Sequence, residues 1–190
     1  MELFNETVKQ KYSIGWLKSI CNADEKRDFV LFWGHRPSKD GMITKSCLSQ
    51  WWKCRFEYEG KSYCCMEQFM MAAKAELFND REVLGKILSE EEPGAIKDLG
   101  RKVRGFDPKI WDSYKYTIVF RGNLLKFGQN IELREYLLST GDSVLAEASP
   151  YDGIWGIKLS ESDERAKNPY RWCGENLLGF ALMEVRDSLK

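Results

Sequence analysis

A carboxylate and an amine seven residues apart give the clearest chemical signal in this chain. Residues 66–78 are rich in strong helix formers and contain no glycine or proline, which predicts a helix. At about 100° per residue, Glu67 and Lys74 lie on one face, two turns apart. The rest of this face is apolar: Met70, Met71, Leu77 and Phe78. Burying either charge is costly unless it is paired or hydrogen-bonded, so the placement indicates chemistry or specificity. The alternative is that both groups reach solvent from the rim of a core helix.

A second set of candidate residues surrounds the end of a predicted strand. Glu147 lies at the end of this strand, Asp152 follows after a Ser-Pro turn, and Trp155 comes three residues later. A tryptophan beside a carboxylate can desolvate it and can stack on a flat ring. Gly153 and Gly156 would let the backbone approach a ligand closely. The alternative is a turn with a tryptophan that only packs.

Three cations between glycines, at residues 100–105, form a candidate phosphate site. Arg101 and Arg104 follow a predicted helix, and guanidinium groups bind phosphate well. The alternative is a solvated helix end, where cations favour the negative end of the helix dipole. Arg121 and Lys126, on the next long helix, are predicted to lie at the surface.

The loop Trp33-Gly34-His35 follows the first predicted strand and contains the single histidine of the chain. His35 could contact a ligand, although a lone loop histidine is more often structural. With one histidine, a multi-histidine zinc site is excluded, and carboxylate or lysine chemistry is favoured over a histidine-based triad. Trp51 and Trp52 are predicted to pack in the core, with a stacking platform as the alternative.

Length and composition indicate one intracellular domain. The 190 residues carry 29 basic and 29 acidic side chains, so no net field attracts nucleic acid or a membrane. Six cysteines include one adjacent pair and no C-x-x-C motif, which favours reduced thiols over a zinc or disulfide framework. The chain shows neither a signal peptide nor a run of about 18 apolar residues, so we expect a cytoplasmic protein without membrane contact.

Periodicity and capping residues predict the elements that position these groups. Helices are predicted over residues 65–78, 80–88, 93–100, 107–128, 131–139 and 175–189. Strands are predicted over residues 29–33 and 143–148, with a hairpin over 56–63. Residues 149–174 are predicted to form a long loop, and long loops inside domains are often functional. Residues 1–28 are interpreted as an N-terminal extension, partly helical around residues 16–21.

Taken in order, several blocks of this sequence resemble one family. They are Phe32-Trp33-Gly34-His35, Leu48-Ser49-Gln50-Trp51, residues 66–75, Gly100-Arg101, Lys126-Phe127, and residues 137–141, 147–157 and 174–183. The ordered set resembles the NADAR (YbiA-like) family, which includes N-glycosidases of riboflavin-biosynthesis intermediates. The resemblance covers about residues 29 to 188 and leaves residues 1–28 without a counterpart.

The resemblance implies an α+β, predominantly helical single domain with a small β element over residues 29–190. It also implies cleavage of an N-glycosidic bond. One branch of the family hydrolyses phosphoribosylamino-pyrimidines of riboflavin biosynthesis and releases ribose 5-phosphate, and another removes ADP-ribose from modified guanine in nucleic acid. The expected partner is therefore a small phosphorylated ribosylamine or an ADP-ribose-type substrate. A non-catalytic module that binds NAD or ADP-ribose is the alternative from a different class.

Site residues follow from the matching positions together with the candidates above. Glu67 and Lys74 belong to the family's helix motif, and Glu147 and Asp152 to its strand-loop motif, so these four are predicted to be catalytic. Substrate-binding roles are predicted for Trp33, Gly34, Arg101, Arg104, Trp155 and Asn176, with a tryptophan flanking the base and an arginine holding phosphate. Where many relatives have histidine after the motif glutamate, this chain has Gln68, so a role for that histidine would be lost.

N-glycoside cleavage needs a stabilised ribosyl cation, a positioned water and a proton for the leaving nitrogen. Carboxylates can supply the first two. Alternatively, Lys74 could capture the sugar C1 as a Schiff base once the glycosylamine opens to an imine. That route needs a lowered Lys74 pKa, which burial would favour and Glu67 would oppose. We expect Lys74 and Glu67 to face the anomeric carbon, with Glu147 or Asp152 managing water and protons. No metal or organic cofactor is required, because water is the second substrate.

Overall fold

The computed structural model describes residues 4, 6–21 and 27–190. Its helices are α1 (Ile14–Ile20), α2 (Met66–Leu77), α3 (Arg81–Ser89), α4 (Pro93–Gly100), α5 (Pro108–Gln129), α6 (Ile131–Ser139) and α7 (Leu177–Ser188). Its strands are β1 (Phe29–Phe32), β2 (Phe56–Tyr58), β3 (Lys61–Tyr63) and β4 (Val144–Glu147). The predicted α+β class, with mostly helix and a small β element, is confirmed.

From β1 onwards the predicted element boundaries agree with the structure to within two residues. β2 and β3 form the predicted antiparallel hairpin around Glu59-Gly60, where both turn residues have positive φ. The predicted loop at residues 149–174 also contains two short 3₁₀ turns, Glu164–Lys167 and Pro169–Arg171. A further 3₁₀ turn, Lys45–Leu48, has no counterpart in the sequence-based prediction.

The described residues cluster into two compact units. The first contains Gln50–Asn130 and the described residues before Lys9, and the second contains Ile131–Lys190 and the described part of Lys9–Ser49. Each unit thus combines chain segments that lie far apart in sequence. Within the described part of the chain, no helix has the length and apolar character needed to cross a membrane.

Helix α2 is the centre of the first unit. It packs against α3, α4 and α5 and touches strand β3. The helix is buried at every position from Met66 to Ala73 and again at Ala75, whereas Lys74 is half-buried. The apolar face identified in the sequence is therefore only part of the buried surface, because three helices surround α2 and cover its other sides too.

A two-stranded parallel sheet forms the frame of the second unit. β1 pairs with β4 in a register that places Phe29 opposite Val144 and Phe32 opposite Glu147. Helix α7 packs on β4 so closely that a Cβ on Gly179 would lie 2.1 Å from the carbonyl oxygen of Leu145. Only glycine permits this contact, so the start of α7 is held against the strand that carries Glu147.

The carboxyl ends of the two parallel strands meet at one edge of this sheet. Trp33 and Gly34 follow β1 there, and Glu147 is the last residue of β4. The backbone N–H of Ala148 donates to the carbonyl of Phe32 at 2.8 Å, which extends the pairing past the strand ends. Loops that leave this edge of a parallel sheet commonly carry binding groups, so the topology itself collects the candidate residues of the second unit.

The segment before β1 is fastened to α7 where it is described. The backbone N–H groups of Lys11 and Tyr12 both donate to Oε1 of Glu184, and the Tyr12 hydroxyl donates to Asp187. Leu17 of α1 is fully buried. The predicted extension over residues 1–28 lies partly outside the described residues, and its boundary with the domain stays a prediction.

Candidate active site

Glu67 is a buried carboxylate at the start of α2. It is 3% exposed and lies in the first turn of the helix. Nε1 of Trp51 donates to its Oε2 at 3.1 Å, and the Glu67 backbone N–H donates to the carbonyl of Gln50 at 2.9 Å. The alternative in which Glu67 snorkels to solvent is therefore wrong. The segment at residues 50–51 fixes both the helix start and the orientation of the carboxylate.

Lys74 is a half-buried amine two turns further along the same helix. Its Nζ donates to the carbonyl of Gly100 at 2.9 Å and lies 4.2 Å from the ring centroid of Phe106 and 5.6 Å from that of Trp111. Burial lowers the Lys74 pKa below its usual value of 10.5, and the negative charge of Glu67 opposes the shift. Both predicted directions are confirmed, so the neutral, nucleophilic amine is more accessible here than in a solvated lysine.

Trp51 is a site residue that the sequence analysis assigned to the core. Trp52 does pack there, with 7% exposure, but Trp51 is half-buried and uses its indole N–H on Glu67. The only signal in the sequence was its place in the block Leu48-Ser49-Gln50-Trp51. An isolated tryptophan pair gives no indication of which ring will hydrogen-bond to a carboxylate 16 residues later.

Replacing Trp51 with phenylalanine tests this assignment. The variant keeps a ring but loses the donor to Glu67, and a hydrogen bond to a charged group contributes roughly 1.5 to 3 kcal/mol. We expect kcat/KM to fall by about 10- to 100-fold and Tm to fall by roughly 3 to 12 °C. Trp52→Phe is the matched control: it should lower Tm and leave turnover near normal. Equal activity losses in the two variants would contradict an orienting role for the Trp51 indole.

Gln68, the residue after the motif glutamate Glu67, has a structural role. Its Oε1 accepts the backbone N–H of Cys64 at 2.7 Å, and its Nε2 donates to the carbonyls of Ile87 and Glu90 at 3.0 and 2.8 Å. The side chain thus satisfies the carbonyl end of α3 and links it to α2. Gln68 is 2% exposed, so this position carries packing and capping in this chain.

The two candidate phosphate-binding arginines differ in how strongly each is held by a neighbouring carboxylate. Arg101 is mostly exposed and makes a surface ion pair with Asp98 at 3.1 Å. Arg104 donates from Nε and Nη2 to the buried carboxylate of Asp80 at 3.0 and 2.6 Å. The Arg104 guanidinium holds the pKa of Asp80 well below its usual range. Because a surface ion pair is weak, Arg101 is the more available of the two, and both phosphate roles stay predictions.

Lys126 corrects one expectation of the sequence analysis. It was predicted to lie at the surface of α5, and the structure buries it completely. Its charge lowers the pKa of the Cys54 thiol, while burial raises that pKa by more. The long helix α5 has no single apolar face, so periodicity could not separate buried from exposed positions along it.

In the second unit, Asn176 holds the strand that ends in Glu147. Its Oδ1 accepts the backbone N–H of Glu147 at 3.0 Å, and its Nδ2 donates to the carbonyl of Leu145 at 2.9 Å. Asn176 is fully buried and adopts a left-handed conformation, with φ 55° and ψ 36°, directly before α7. These contacts position Glu147, and a substrate-binding role for Asn176 stays a prediction.

Asp152 and Trp155 lie on a loop that folds back against the end of β4. Oδ1 of Asp152 accepts the backbone N–H groups of Ile154 and Trp155 at 2.9 and 2.8 Å. A Cβ on Gly156 would lie 2.7 Å from the carbonyl oxygen of Glu147. Gly156 is therefore needed for this backbone packing, which is a different reason from the ligand approach suggested by the sequence.

Exposed aromatic rings lie beside these residues. Trp33 is 54% exposed and Tyr151 is 84% exposed, and their ring centroids are 6.3 Å apart. Gly34 has a φ of 79°, which turns the chain directly after Trp33. The structure thus brings Trp33, Glu147 and the Asp152 loop to one sheet edge of the second unit, and their roles toward a substrate stay predictions.

Comparison with known proteins identifies the family. A model of the NADAR domain family matches residues 31–190. The chain belongs to the NADAR family. This NADAR protein is similar to N-glycosidase R617 of Acanthamoeba polyphaga mimivirus, with 42% identity over 168 residues that span 86% of this chain and 97% of the relative. Riboflavin biosynthesis protein PYRR, chloroplastic, of Zea mays is 31% identical over 113 residues, 57% of this chain and 16% of that protein.

A solved structure shares the fold of this NADAR protein. The NMR structure of Escherichia coli YbiA matches it with a TM-score of 0.65 and 25% identity, covering 87% of this chain and 86% of that one. N-glycosidase YbiA of Escherichia coli (strain K12) is 30% identical over 131 residues, 69% of this chain and 73% of the relative. The predicted family is confirmed, and this NADAR protein is a glycosyl hydrolase with N-glycosidase relatives.

Proposed function

We propose that this NADAR protein hydrolyses the N-glycosidic bond of phosphoribosylamino-pyrimidine intermediates of riboflavin biosynthesis, releasing ribose 5-phosphate. The observation that carries the proposal is Lys74, whose half-buried amine has a lowered pKa and lies on the helix that also holds the buried Glu67. The Zea mays relative named for riboflavin biosynthesis supports the choice of substrate.

The proposed reaction begins with ring opening of the glycosylamine to an imine at C1. The neutral Nζ of Lys74 attacks C1, and both of its protons pass to the pyrimidine nitrogen. The C1–N bond to that nitrogen then breaks, the aminopyrimidine leaves as the free amine, and a C1=Nζ Schiff base remains. Water then adds to C1 and displaces the lysine amine, so that ribose 5-phosphate is released. Trp51 orients the Glu67 carboxylate through its indole N–H. The negative charge of Glu67 raises the pKa of Lys74. The same charge is proposed to stabilise cationic intermediates at C1.

Glu147 and Asp152 are proposed to manage water and protons, as the sequence predicts. The substitutions Glu147→Gln and Asp152→Asn keep the shapes of the side chains and remove their charges. Because Asp152 also orders its own loop through two backbone N–H groups, Asp152→Asn needs a Tm measurement beside its kinetics. Loss of kcat at unchanged Tm would support a catalytic role for either carboxylate.

The substrate is tested by incubating purified protein with the two phosphoribosylamino-pyrimidine intermediates and, in parallel, with ADP-ribosylated guanosine. Mass spectrometry follows the release of ribose 5-phosphate or ADP-ribose. We expect ribose 5-phosphate from the first pair, and borohydride should trap a sugar adduct on Lys74 during turnover. Release of ADP-ribose alone would replace this proposal with ADP-ribosyl-guanine hydrolysis, and silence with both substrates would refute it.

A further inference from the structure

Two adjacent thiols lie directly before the helix that carries Glu67. Cys65 is the N-cap residue of α2 and is fully buried, whereas Cys64 is half-buried. Their Sγ atoms are 3.9 Å apart. Successive side chains of an extended backbone point to opposite sides, so this contact depends on the bend in the chain at these two residues.

The two thiols differ sharply in acidity. A hydrogen bond with Cys65, helped by the positive charge of Lys53, lowers the pKa of Cys64 to about 7, against the opposing effects of burial and Glu91. The same hydrogen bond and burial raise the pKa of Cys65. The pair therefore combines a partly exposed thiolate, which can attack, with a protonated thiol in contact, which can resolve. Cys54, the other nearby thiol, has a pKa raised by burial.

We propose that Cys64 and Cys65 form a redox-reactive dithiol that a hydroperoxide oxidises to a disulfide. The Cys64 thiolate attacks the peroxide, an S–O bond forms as the O–O bond breaks, and an alcohol or water leaves with a proton. Cys65 then attacks the sulfenic sulfur, the S–S bond forms, and the hydroxyl leaves as water with the Cys65 proton. The dithiol loses two electrons, and the hydroperoxide is reduced by the same two.

The position of the pair links its oxidation to the active-site helix. Adjacent Cα atoms are about 3.8 Å apart, below the usual separation of disulfide-bonded residues, so the new bond is strained and readily reduced. Closing the 3.9 Å gap must move the N-cap of α2, two residues before Glu67. It must also strain the bond from the Cys64 backbone N–H to Gln68. Oxidation should therefore displace Glu67 reversibly.

The chemistry is tested on the reduced 190-residue protein without any activity assay. After hydrogen peroxide treatment, the protein is unfolded in denaturant so that the buried Cys65 can react. The remaining thiols are capped with N-ethylmaleimide, and intact mass and peptides are measured. We expect neither Cys64 nor Cys65 to carry a cap after oxidation. The peptide that contains both should be lighter by two hydrogen atoms than its uncapped dithiol form. The rate should rise about tenfold between pH 6 and pH 8, against roughly 75-fold for an ordinary thiol.

Two variants and one control sharpen this test. Serine is a favoured N-cap residue, so Cys65→Ser should fold and should accumulate a sulfenic acid on Cys64 that dimedone traps. Cys64→Ser should leave position 65 unoxidised. Cys173→Ser, which removes an exposed thiol of the other unit, should respond like the unsubstituted protein. Retention of both caps at a peroxide dose that oxidises Cys173 would overturn the proposal.

The effect on activity rests on the proposed function and is measured separately. Peroxide should lower turnover at least tenfold, dithiothreitol should restore it, and Cys64→Ser should stay active in peroxide. Formation of the disulfide with unchanged turnover would overturn the link to Glu67. A protein that forms the disulfide but shows no turnover when reduced would instead count against the proposed function.

Discussion

Substituting Lys74 with alanine is expected to abolish turnover while the fold stays intact. The substitution removes the amine that is proposed to bond to C1, and loss of a nucleophile or general acid-base group typically costs on the order of a thousandfold or more in kcat. Lys74 is only half-buried and donates one hydrogen bond, to the carbonyl of Gly100. Its loss should therefore lower Tm by no more than a few degrees. Single-turnover kinetics, circular dichroism and thermal unfolding together measure both effects.

Two further variants separate the nucleophile from the charge at position 74. Lys74→Arg keeps a cation at this position but cannot form a Schiff base, because arginine is not deprotonated in proteins, so it should be as inactive as Lys74→Ala. Lys86→Ala removes an exposed lysine of α3 and should turn over normally. Near-normal kcat in Lys74→Ala would show that the lysine role is wrong, and activity in Lys74→Arg alone would replace nucleophilic with electrostatic catalysis.

The pH profile provides an independent measure of the same residue. Attack requires the neutral amine, so kcat/KM should fall as pH drops through the Lys74 pKa and should level off below pH 10.5, because burial lowers that pKa. Glu67 raises it through its negative charge. Glu67→Gln should therefore lower the pH at which kcat/KM begins to fall, and it should also lower the maximal kcat/KM. A shift of this fall to higher pH would contradict the electrostatic coupling between the two groups.

The sequence located α2 and its reactive groups because that information is local. Helix formers without glycine or proline, and the seven-residue spacing of Glu67 and Lys74, depend on neighbours along the chain. The elements from β1 to α7 were predicted for the same reason, through Pro93 and Pro108 at helix starts and Glu59-Gly60 in the hairpin turn.

The partners of these groups could not be predicted, because they come from distant parts of the chain. The Trp51 indole meets Glu67 across 16 residues, and the Gly100 carbonyl meets Lys74 across 26. Neither partner has a periodicity of its own. Likewise, Asn176 was predicted only through the family resemblance. Its two hydrogen bonds to β4 join residues that lie 29 and 31 positions apart in sequence. Lys126 was placed wrongly because the buried side of α5 also carries polar residues, Thr117 and Asn123, so apolar periodicity did not mark it.

Replacement of Asn176 with alanine is expected to destabilise the protein and to impair turnover. The variant leaves the Glu147 N–H and the Leu145 carbonyl of β4 without their partner, and each buried orphan costs roughly 1 to 3 kcal/mol. Alanine also tolerates the left-handed conformation poorly. We expect a loss of about 3 kcal/mol, or roughly 6 to 12 °C in Tm. Urea unfolding and calorimetry measure the loss, and kcat at a temperature well below Tm measures the effect on Glu147.

Two other substitutions at Asn176 separate conformation from hydrogen bonding. Asn176→Gly relieves the positive φ but loses both side-chain bonds, so it should be more stable than Asn176→Ala by about 1 kcal/mol and equally impaired in kcat. Asn176→Asp keeps the acceptor for the Glu147 N–H but turns a carboxylate toward the Leu145 carbonyl in a fully buried place. It should therefore be the least stable of the three, because a buried charge without a donor is costly. A positioning role predicts that Asn176→Gly is more stable than Asn176→Ala but has an equally low kcat. If kcat instead followed Tm across all three variants, Asn176 would stabilise the fold without positioning Glu147.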